Sequence, residues 1–366
     1  MSMPDVRPRP GDSDVTEMTS RERVLMAARR GVPDRVPRTM PIERGVAAML
    51  SEHFGPTSLD QALRMDLFGV GPSPTVRETD FSRYFERRDM TWDEWGRGRV
   101  WDDEDHYAEY FYPLEKADTV DEILAYPWPD LDASYRYEDL AERVSGIHAR
   151  GKAAQGHLAE TVFEMAWELR SMDRLFEDLI LGNETGPVLL DTITDRRVTT
   201  AEAYALADVD ILHVGDDVAM QERLMMSKGF WRQWLRPRLV RVIEAARAIK
   251  PDILVWYHSD GKIDDLVPDL IEIGVDILNP VQPECVDHRW IKATYGDRLA
   301  FSGGLGVQSV LPFGTPDEVR HHVRETIETL GAGGGLIVGP SHVIERDTPL
   351  ENILAMLEAI DVYGVY

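Results

Sequence analysis

The chain has 366 residues, 43% of them hydrophobic and 29% charged, and 40 Lys and Arg against 65 Asp and Glu give a net charge of −25. This composition is that of a folded protein of one to three domains, and so strong a negative charge argues against nucleic acid as a partner. No run of about 18 apolar residues occurs, so we expect no membrane span. The single cysteine, Cys285, excludes an intramolecular disulfide and a zinc site with two thiolates, and it predicts a cytoplasmic protein.

The amino-terminal residues predict a flexible lead-in followed by one domain. Residues 1–18 are rich in Pro, Asp and Ser and lack the apolar core of a signal peptide. Thr19 followed by Glu22 is typical of a capped helix start, and the first predicted strand covers 36–42. We therefore place the domain at 19–366.

Residues 80–132 form an acidic stretch that is unusually rich in aromatic side chains. Gly and Asp separate short alternating segments within it. We interpret the stretch as an insertion near the amino-terminal third, and a small hairpin covering one end of the main fold is one form it could take. Its aromatic residues are Trp92, Trp95, Trp101, Tyr107, Tyr110, Phe111, Tyr112 and Trp128.

From residue 150 onward, short apolar runs alternate with longer amphipathic segments. The runs predict strands at 153–158, 211–214, 253–257, 277–278, 299–302 and 336–338. Alternating strands and helices favour a parallel sheet covered on both faces, and the segments 36–42 and 67–70 bring the count to eight. The sequence therefore predicts an α/β fold, namely a (β/α)8 TIM barrel. It contains no phosphate-binding glycine motif, which argues against a nucleotide-binding doubly wound sheet.

The active site of such a barrel lies at the carboxyl ends of its strands, where several polar residues follow the apolar runs. Three of these are aspartates that could equally cap the following helices, namely Asp216, Asp217 and Asp260. The other candidates are Glu43, Arg44, His157, Glu160, His258, Asn279, Gln282 and His342.

Two histidines and one carboxylate from two strand ends predict a metal site. His258 and Asp260 are two residues apart, so both side chains can point into the barrel, and His342 follows a later strand. Such a set can bind zinc, our first choice, or Fe(II) or manganese, and leaves positions open for substrate. The alternative is that both histidines act by hydrogen bonding or acid–base chemistry without a metal, because ten histidines make chance pairs easy.

Several segments resemble the uroporphyrinogen decarboxylase superfamily, which also contains zinc-dependent corrinoid and coenzyme M methyltransferases. The resemblance spans about residues 20–366 and is closer to the methyltransferase-like branch. The segments of the carboxyl half include His258-Ser-Asp-Gly261, Ser302-Gly-Gly304 and Gly339-Pro-Ser-His342. Upstream segments similar to the methyltransferase-like branch are Asp34-Arg-Val-Pro37, Asp93-Glu-Trp-Gly96 and Tyr126-Pro-Trp-Pro-Asp130.

The resemblance implies a (β/α)8 barrel and a metal site with changed ligands. In the methyltransferase branch, a His-X-Cys segment and a second cysteine bind zinc, and here Asp260 and His342 stand at the two cysteine positions. Replacing two thiolates by a carboxylate and an imidazole favours a harder metal ion, and we therefore do not expect this metal to activate a thiol. The decarboxylase branch carries a substrate-binding arginine segment of which only Arg44 matches, so a porphyrinogen is not an expected substrate.

We predict a metal-dependent methyltransferase that demethylates a small ether or amine and transfers the methyl group to an external corrinoid protein or tetrahydrofolate. The predicted catalytic residues are His342, Asp216, Glu164 and His157, and the predicted substrate-binding residues are Arg44, Asn279 and Gln282. One alternative is a decarboxylase or lyase of a small carboxylic acid that uses His342 and Arg44. Another is a non-catalytic binding protein, and a homodimer is the default assembly.

Overall fold

The computed structural model describes residues 17–87, 89–101 and 108–366. Nearly all of the lead-in predicted for 1–18 lies outside the described residues, as does Tyr107 of the aromatic stretch. Within the described residues, no helix is long and apolar enough to cross a membrane.

The described residues form ten strands and fifteen α-helices. The strands are β1 (Leu67–Val70), β2 (Thr91–Trp92), β3 (Gly98–Trp101), β4 (Ala108–Phe111), β5 (Ala153–Ala159), β6 (Ile211–Gly215), β7 (Leu254–His258), β8 (Ile277–Asn279), β9 (Ala300–Leu305) and β10 (Leu336–Pro340). The helices are α1 (Ser20–Ala28), α2 (Arg44–Phe54), α3 (Leu59–Ala62), α4 (Val120–Leu124), α5 (Leu140–Ala149), α6 (Phe163–Arg170), α7 (Met172–Leu181), α8 (Thr185–Leu206), α9 (Lys228–Trp234), α10 (Arg236–Ile249), α11 (Val267–Glu272), α12 (His288–Tyr295), α13 (Val310–Phe313), α14 (Pro316–Leu330) and α15 (Leu350–Tyr363).

Seven strands form one parallel sheet in the order β1-β5-β6-β7-β8-β9-β10. From β5 onward each strand pairs with the next one along the chain, and the connections between them carry helices, as predicted from the alternating pattern. In such a sheet all strands point the same way, so their carboxyl ends meet at one edge.

The predicted first strand, 36–42, is not a regular strand. The segment lies between the two outer strands of the sheet. The backbone N–H of Thr39 donates to the carbonyl of Val338 in β10, and the carbonyl of Arg38 accepts the N–H of Asp66, the residue before β1. Pro37 and Pro41 have no N–H to donate, which prevents a continuous hydrogen-bond ladder. The predicted eight strands are therefore corrected to seven strands and one irregular bridging segment.

One end of the sheet interior is closed by aliphatic side chains. Val24, Ala27 and Ala28 of α1 pack in this layer, and α1 begins with a capping box between Thr19 and Glu22. The sheet contributes Leu67, Ala153, Ile211, Leu254, Trp256, Ile277, Ala300 and Ile337 to the same cluster. Polar groups inside the sheet therefore lie toward the carboxyl ends of the strands.

The aromatic stretch contains a separate antiparallel sheet of β2, β3 and β4, which is one strand more than a hairpin. Arg97 connects it to the residues after β5, since its guanidinium contacts Asp93, Glu160 and Glu168. This sheet thus lies near the carboxyl ends of the parallel strands. Its description as an insertion stays a prediction.

Candidate functional site

Three side chains with metal-binding atoms come together at the carboxyl ends of β6 and β7. Asp217, His258 and Asp260 each offer one such atom within 4.8 Å of the others. Nε2 of His258 lies 3.8 Å from Oδ1 of Asp217 and 3.9 Å from Oδ1 of Asp260. We call these three residues the donor cluster.

Hydrogen bonds hold the donor cluster in place. The backbone N–H of Asp260 donates to Oδ1 of Asp217 at 2.7 Å, and Nδ1 of His258 lies 2.6 Å from Oδ1 of Asn279. The Asp260 Oδ1 atom is buried and has no hydrogen-bond partner among the described residues. A buried carboxylate oxygen without a partner is costly, and a bound cation would satisfy it.

Burial and neighbouring negative charges raise the pKa values of acidic side chains around the donor cluster. Burial, followed by the charges of Asp217 and Asp216, raises the pKa of Glu164 to about 10. Its Oε2 atom accepts the backbone N–H of Asp217 at 2.9 Å. Burial also raises the pKa of Asp260, against the lowering effect of His258. Glu164 is therefore a protonated acid at neutral pH, in contact with the cluster.

Asp216 occupies the position of a helix cap. Its Oδ1 atom accepts backbone N–H groups from Val162 at 2.9 Å and Glu164 at 3.0 Å, at the start of α6. Burial raises the pKa of Asp216 to about 7 despite these hydrogen bonds. Asp216 thus caps α6, which follows β5, and not the helix that follows β6, which is what the capping alternative expected. A catalytic role for Asp216 stays a prediction.

His342 lies outside the donor cluster. It is exposed and lines a cavity of about 460 Å³ together with Asp260 and Gln282. The structure thus brings Asp217, rather than His342, beside His258 and Asp260, while His342 faces the same cavity. The predicted metal-binding and catalytic roles of His342 stay predictions.

The three predicted substrate-binding residues have different surroundings. Asn279 contacts His258, as described above, whereas Gln282 accepts the backbone N–H of Gly261 at 3.1 Å and donates to Gln308 at 3.0 Å. Arg44 is the exposed first residue of α2 and is not among the residues that line the cavity beside His342.

His157 faces a second histidine on the neighbouring strand. Nδ1 of His157 lies 3.2 Å from Nδ1 of His213, and the His213 ring lies 6.1 Å from the His258 ring. Desolvation lowers the pKa of both His157 and His213, so both rings are neutral at pH 7. Three imidazoles on β5, β6 and β7 therefore form a row that ends at the donor cluster.

Sequence reasoning missed two members of this site. Asp217 is a strand-end candidate that capping could also explain, and His213 is not among the candidates predicted from the sequence. In the structure, Nε2 of His213 is buried without a partner among the described residues. The signal for His213 is its position two residues before the end of β6, on the same side as the strand-end residue Gly215.

The sequence model of one protein family matches much of the chain. The uroporphyrinogen decarboxylase (URO-D) model matches residues 161–363, more than half of the 366. The chain therefore belongs to the uroporphyrinogen decarboxylase family, which confirms the resemblance seen in the sequence.

The similar proteins include several methyltransferases. A methylcobamide:CoM methyltransferase of Methanosarcina barkeri is 27% identical over 199 residues, which are 54% of this chain and 52% of that protein. A methylated-thiol–coenzyme M methyltransferase of Methanosarcina mazei is 24% identical over 235 residues, 63% of this chain and 60% of that protein. The chain spans about half the length of the curated relatives it matches.

A solved structure described as a methyltransferase from Methanosarcina mazei has a similar fold. It aligns with a TM-score of 0.66 at 20% identity, covering 95% of this chain and 99% of that one. At this identity the likeness concerns the fold alone.

Proposed function

We propose that this chain is a metal-dependent methyltransferase that demethylates a small methylated ether or amine and passes the methyl group to an external corrinoid protein or folate. The donor cluster is the observation that carries this proposal. Membership of the family supports it, as do the relatives named as methylcobamide:CoM methyltransferases. Their names associate this fold with methyl groups and corrinoids.

The residues of the donor cluster fit a divalent metal. One imidazole nitrogen and two carboxylate oxygens suit zinc, Fe(II) or manganese, and the buried Asp260 Oδ1 atom is free to bind it. Cys285 is not a member of the donor cluster, and its buried thiol donates to Gln221 at 2.9 Å. The metal set proposed for this chain is therefore Asp217, His258 and Asp260, with His342 as a candidate fourth ligand.

The proposed methyl transfer uses both a bound metal and side chains of the protein. A bound divalent metal would act as a Lewis acid toward the heteroatom of the methyl donor. The C–O or C–N bond breaks, the methyl group goes to the external acceptor, and the heteroatom keeps the electron pair. Glu164 carries a proton beside Asp217 and donates it to that heteroatom, while Asp216 holds α6 and therefore Glu164 in position.

The alternative functions have no comparable support in the geometry. A decarboxylase would use Arg44 to bind a carboxylate beside His342, yet Arg44 is exposed and is not among the residues lining that cavity. For a non-catalytic binding protein, no feature of the site is specific, whereas the donor cluster is what a metal-dependent enzyme requires.

Metal stoichiometry tests the proposal. Plasma mass spectrometry on protein purified without a His tag is expected to give about one zinc, iron or manganese per chain, because the cluster offers one site. His258→Ala, Asp217→Ala and Asp260→Ala are each expected to lose it, whereas an exposed Thr294→Ala variant keeps it. Well-folded protein that binds no metal even after reconstitution would overturn the proposal. Retention of the metal in Asp217→Ala together with its loss in His342→Ala would restore the ligand set predicted from sequence.

A further inference from the structure

The turn after β7 carries Asp260 and is held by hydrogen bonds on both sides of that residue. The N–H of Asp260 itself donates to Asp217, as described above. The next N–H along the chain, that of Gly261, donates to Oε1 of Gln282 at 3.1 Å. The direction of the Asp260 side chain therefore depends on Gln282 as well as on Asp217.

Gly261 gives this turn a backbone conformation that other residues rarely adopt. Its φ is +82°, and a Cβ atom there would lie 2.6 Å from the carbonyl oxygen of Met220 and 2.9 Å from that of Ala219. Glycine also has the widest choice of backbone conformations, so its own preferences do not keep the turn in this one. The hydrogen bond to Gln282 supplies that restraint.

The amide group of Gln282 is committed to the protein. The side chain is 4% exposed, although it lines the cavity beside His342. Its oxygen accepts the Gly261 N–H, and its nitrogen donates to Oε1 of Gln308 at 3.0 Å. A substrate would have to compete with these partners, so the geometry suits a residue that holds the turn better than one that binds substrate.

The loops that carry the two glutamines are themselves tied to helices. In the loop after β8, the carbonyl of Val281 accepts from Nε2 of His288, the first residue of α12, at 2.8 Å. In the loop after β9, which carries Gln308, the N–H of Gly306 donates to Nε2 of His322 in α14 at 3.2 Å. The bond between the glutamines joins these two anchored loops, so the Gly261 N–H is held by a firm support.

The carboxylate of Asp260 depends on this support because it is weakly held at its own oxygens. Its Oδ1 atom has no hydrogen-bond partner among the described residues, and Nε2 of His258 is 3.9 Å away. The restraint on the side chain therefore comes through its backbone, at the two N–H groups held by Asp217 and Gln282.

We propose that Gln282 is a positioning residue, which holds Asp260 at the donor cluster through the backbone of Gly261, in place of the substrate-binding role predicted from the sequence. The inference rests on the proposed function, in which Asp260 binds the metal. It makes the metal site depend on the loop after β8, which contributes no member of the donor cluster.

Titration of metal-free protein with Co²⁺, in the absence of any methyl donor, tests the inference, because the visible absorption of bound cobalt depends on the number and geometry of its ligands. Gln282→Met removes both hydrogen bonds at similar volume. It is expected to weaken Co²⁺ binding about five- to tenfold, the effect of one hydrogen bond, and to change the spectrum. Gln282→Glu keeps an oxygen acceptor for the Gly261 N–H and is expected to bind at least as tightly as wild type.

Asn352→Leu is the matched control. It removes another buried amide, whose nitrogen donates to the carbonyls of Leu311 and Gly314 at 2.8 Å, away from the donor cluster. Urea denaturation is expected to show a lower free energy of unfolding for both Asn352→Leu and Gln282→Met, whereas Co²⁺ affinity is expected to fall only in Gln282→Met.

Hydrogen exchange followed by mass spectrometry adds a measurement that needs no metal. In metal-free protein, exchange in residues 258–263 is expected to be faster in Gln282→Met than in wild type, because the Gly261 N–H loses its acceptor. Gln282→Glu is expected to exchange at nearly the wild-type rate there.

The outcomes separate this inference from the proposed function. Wild-type Co²⁺ affinity and spectrum in Gln282→Met would overturn the inference and leave the metal site intact. An equal loss of affinity in Asn352→Leu would also overturn it, since reduced stability would then explain both. If wild type binds neither Co²⁺ nor Zn²⁺ while exchange changes as expected, the positioning of Asp260 by Gln282 is supported and the proposed function is overturned.

Discussion

His258 donates from Nδ1 to the Oδ1 atom of Asn279 at 2.6 Å, and this hydrogen bond fixes which nitrogen of the ring remains free. The amide oxygen can only accept, so Nδ1 carries a proton and Nε2 is the ring nitrogen that remains available. Nε2 faces the carboxylates of Asp217 and Asp260. In the proposed metal site Nε2 would be the ligand atom, and the hydrogen bond to Asn279 would orient the ring from outside the site.

Removing the Asn279 hydrogen bond is expected to weaken metal binding without abolishing it. In Asn279→Ala the imidazole loses its orientation, and loss of such an outer partner typically costs about 10- to 100-fold in metal affinity. Competition titration with a fluorescent zinc chelator measures the change. Asn279→Asp keeps an acceptor for Nδ1–H and is expected to bind nearly as tightly as wild type. Equal affinity in all three proteins would mean that His258 is not a ligand.

Replacing Glu164 by Gln is expected to separate proton transfer from metal binding. The Gln side chain still accepts the Asp217 N–H through its carbonyl oxygen but has no acidic proton to donate. We expect the methyl-transfer rate to fall about 10²- to 10⁴-fold while metal stoichiometry stays at the wild-type value. Single-turnover assays with a small methyl ether donor and a corrinoid acceptor provide the measurement. An unchanged rate would remove Glu164 from the mechanism.

The sequence predicted most of the parallel sheet because its buried strands are short, nearly continuous apolar runs. The runs at 153–158 and 211–214 became β5 and β6 with ends shifted by one residue. The antiparallel sheet was harder to predict, because both residues of β2 are exposed and show no alternation of buried and exposed side chains. The segment 36–42 has an apolar pattern, but its prolines interrupt the ladder.

The site was only partly predictable, because position at a strand end does not distinguish a cap from a ligand. Asp216 and Asp217 are neighbours in the chain, yet the first caps α6 and the second faces His258. That difference depends on the direction of each side chain, which follows from strand pairing rather than from local sequence. The contact between His157 and His213 likewise requires the register of β5 on β6.

Two variants of Asp216 distinguish its capping role from catalysis. Asp216→Ala leaves the first N–H groups of α6 without an acceptor and is expected to lower the free energy of unfolding by about 1–2 kcal/mol. Asp216→Asn keeps an acceptor and is expected to be closer to wild type in urea denaturation. If Asp216→Asn folds normally but loses methyl transfer with its metal retained, the carboxyl group itself takes part in the reaction.

The buried carboxylate of Asp66 makes stability depend on pH in the acid range. It accepts hydrogen bonds from Arg35 at 2.8 Å and from the backbone N–H of Arg38 at 2.9 Å, and Arg23 lies 3.2 Å away. Burial alone would raise the pKa of Asp66, but the hydrogen bonds and charge of Arg35 outweigh it, so the pKa is lowered from 3.8. A carboxyl with a lowered folded-state pKa stabilises the fold above its unfolded pKa, and this contribution is lost as pH falls through the folded-state pKa.

Asp66→Asn is therefore expected to be destabilised at pH 7 by about 3–5 kcal/mol, because Arg35 loses its charged partner and Arg23 keeps only Asp34. The gap between variant and wild type is expected to begin to shrink below about pH 4, the ordinary pKa of the unfolded carboxyl, and to close as pH falls through the lower folded-state pKa. Urea denaturation at pH 7 and pH 3 measures both differences. Asp317→Asn, which removes an exposed ion pair with Arg320, is the control and is expected to change stability by less than about 1 kcal/mol at either pH. A gap for Asp66→Asn that is the same at both pH values would show that packing, and not the charge of Asp66, stabilises this part of the fold.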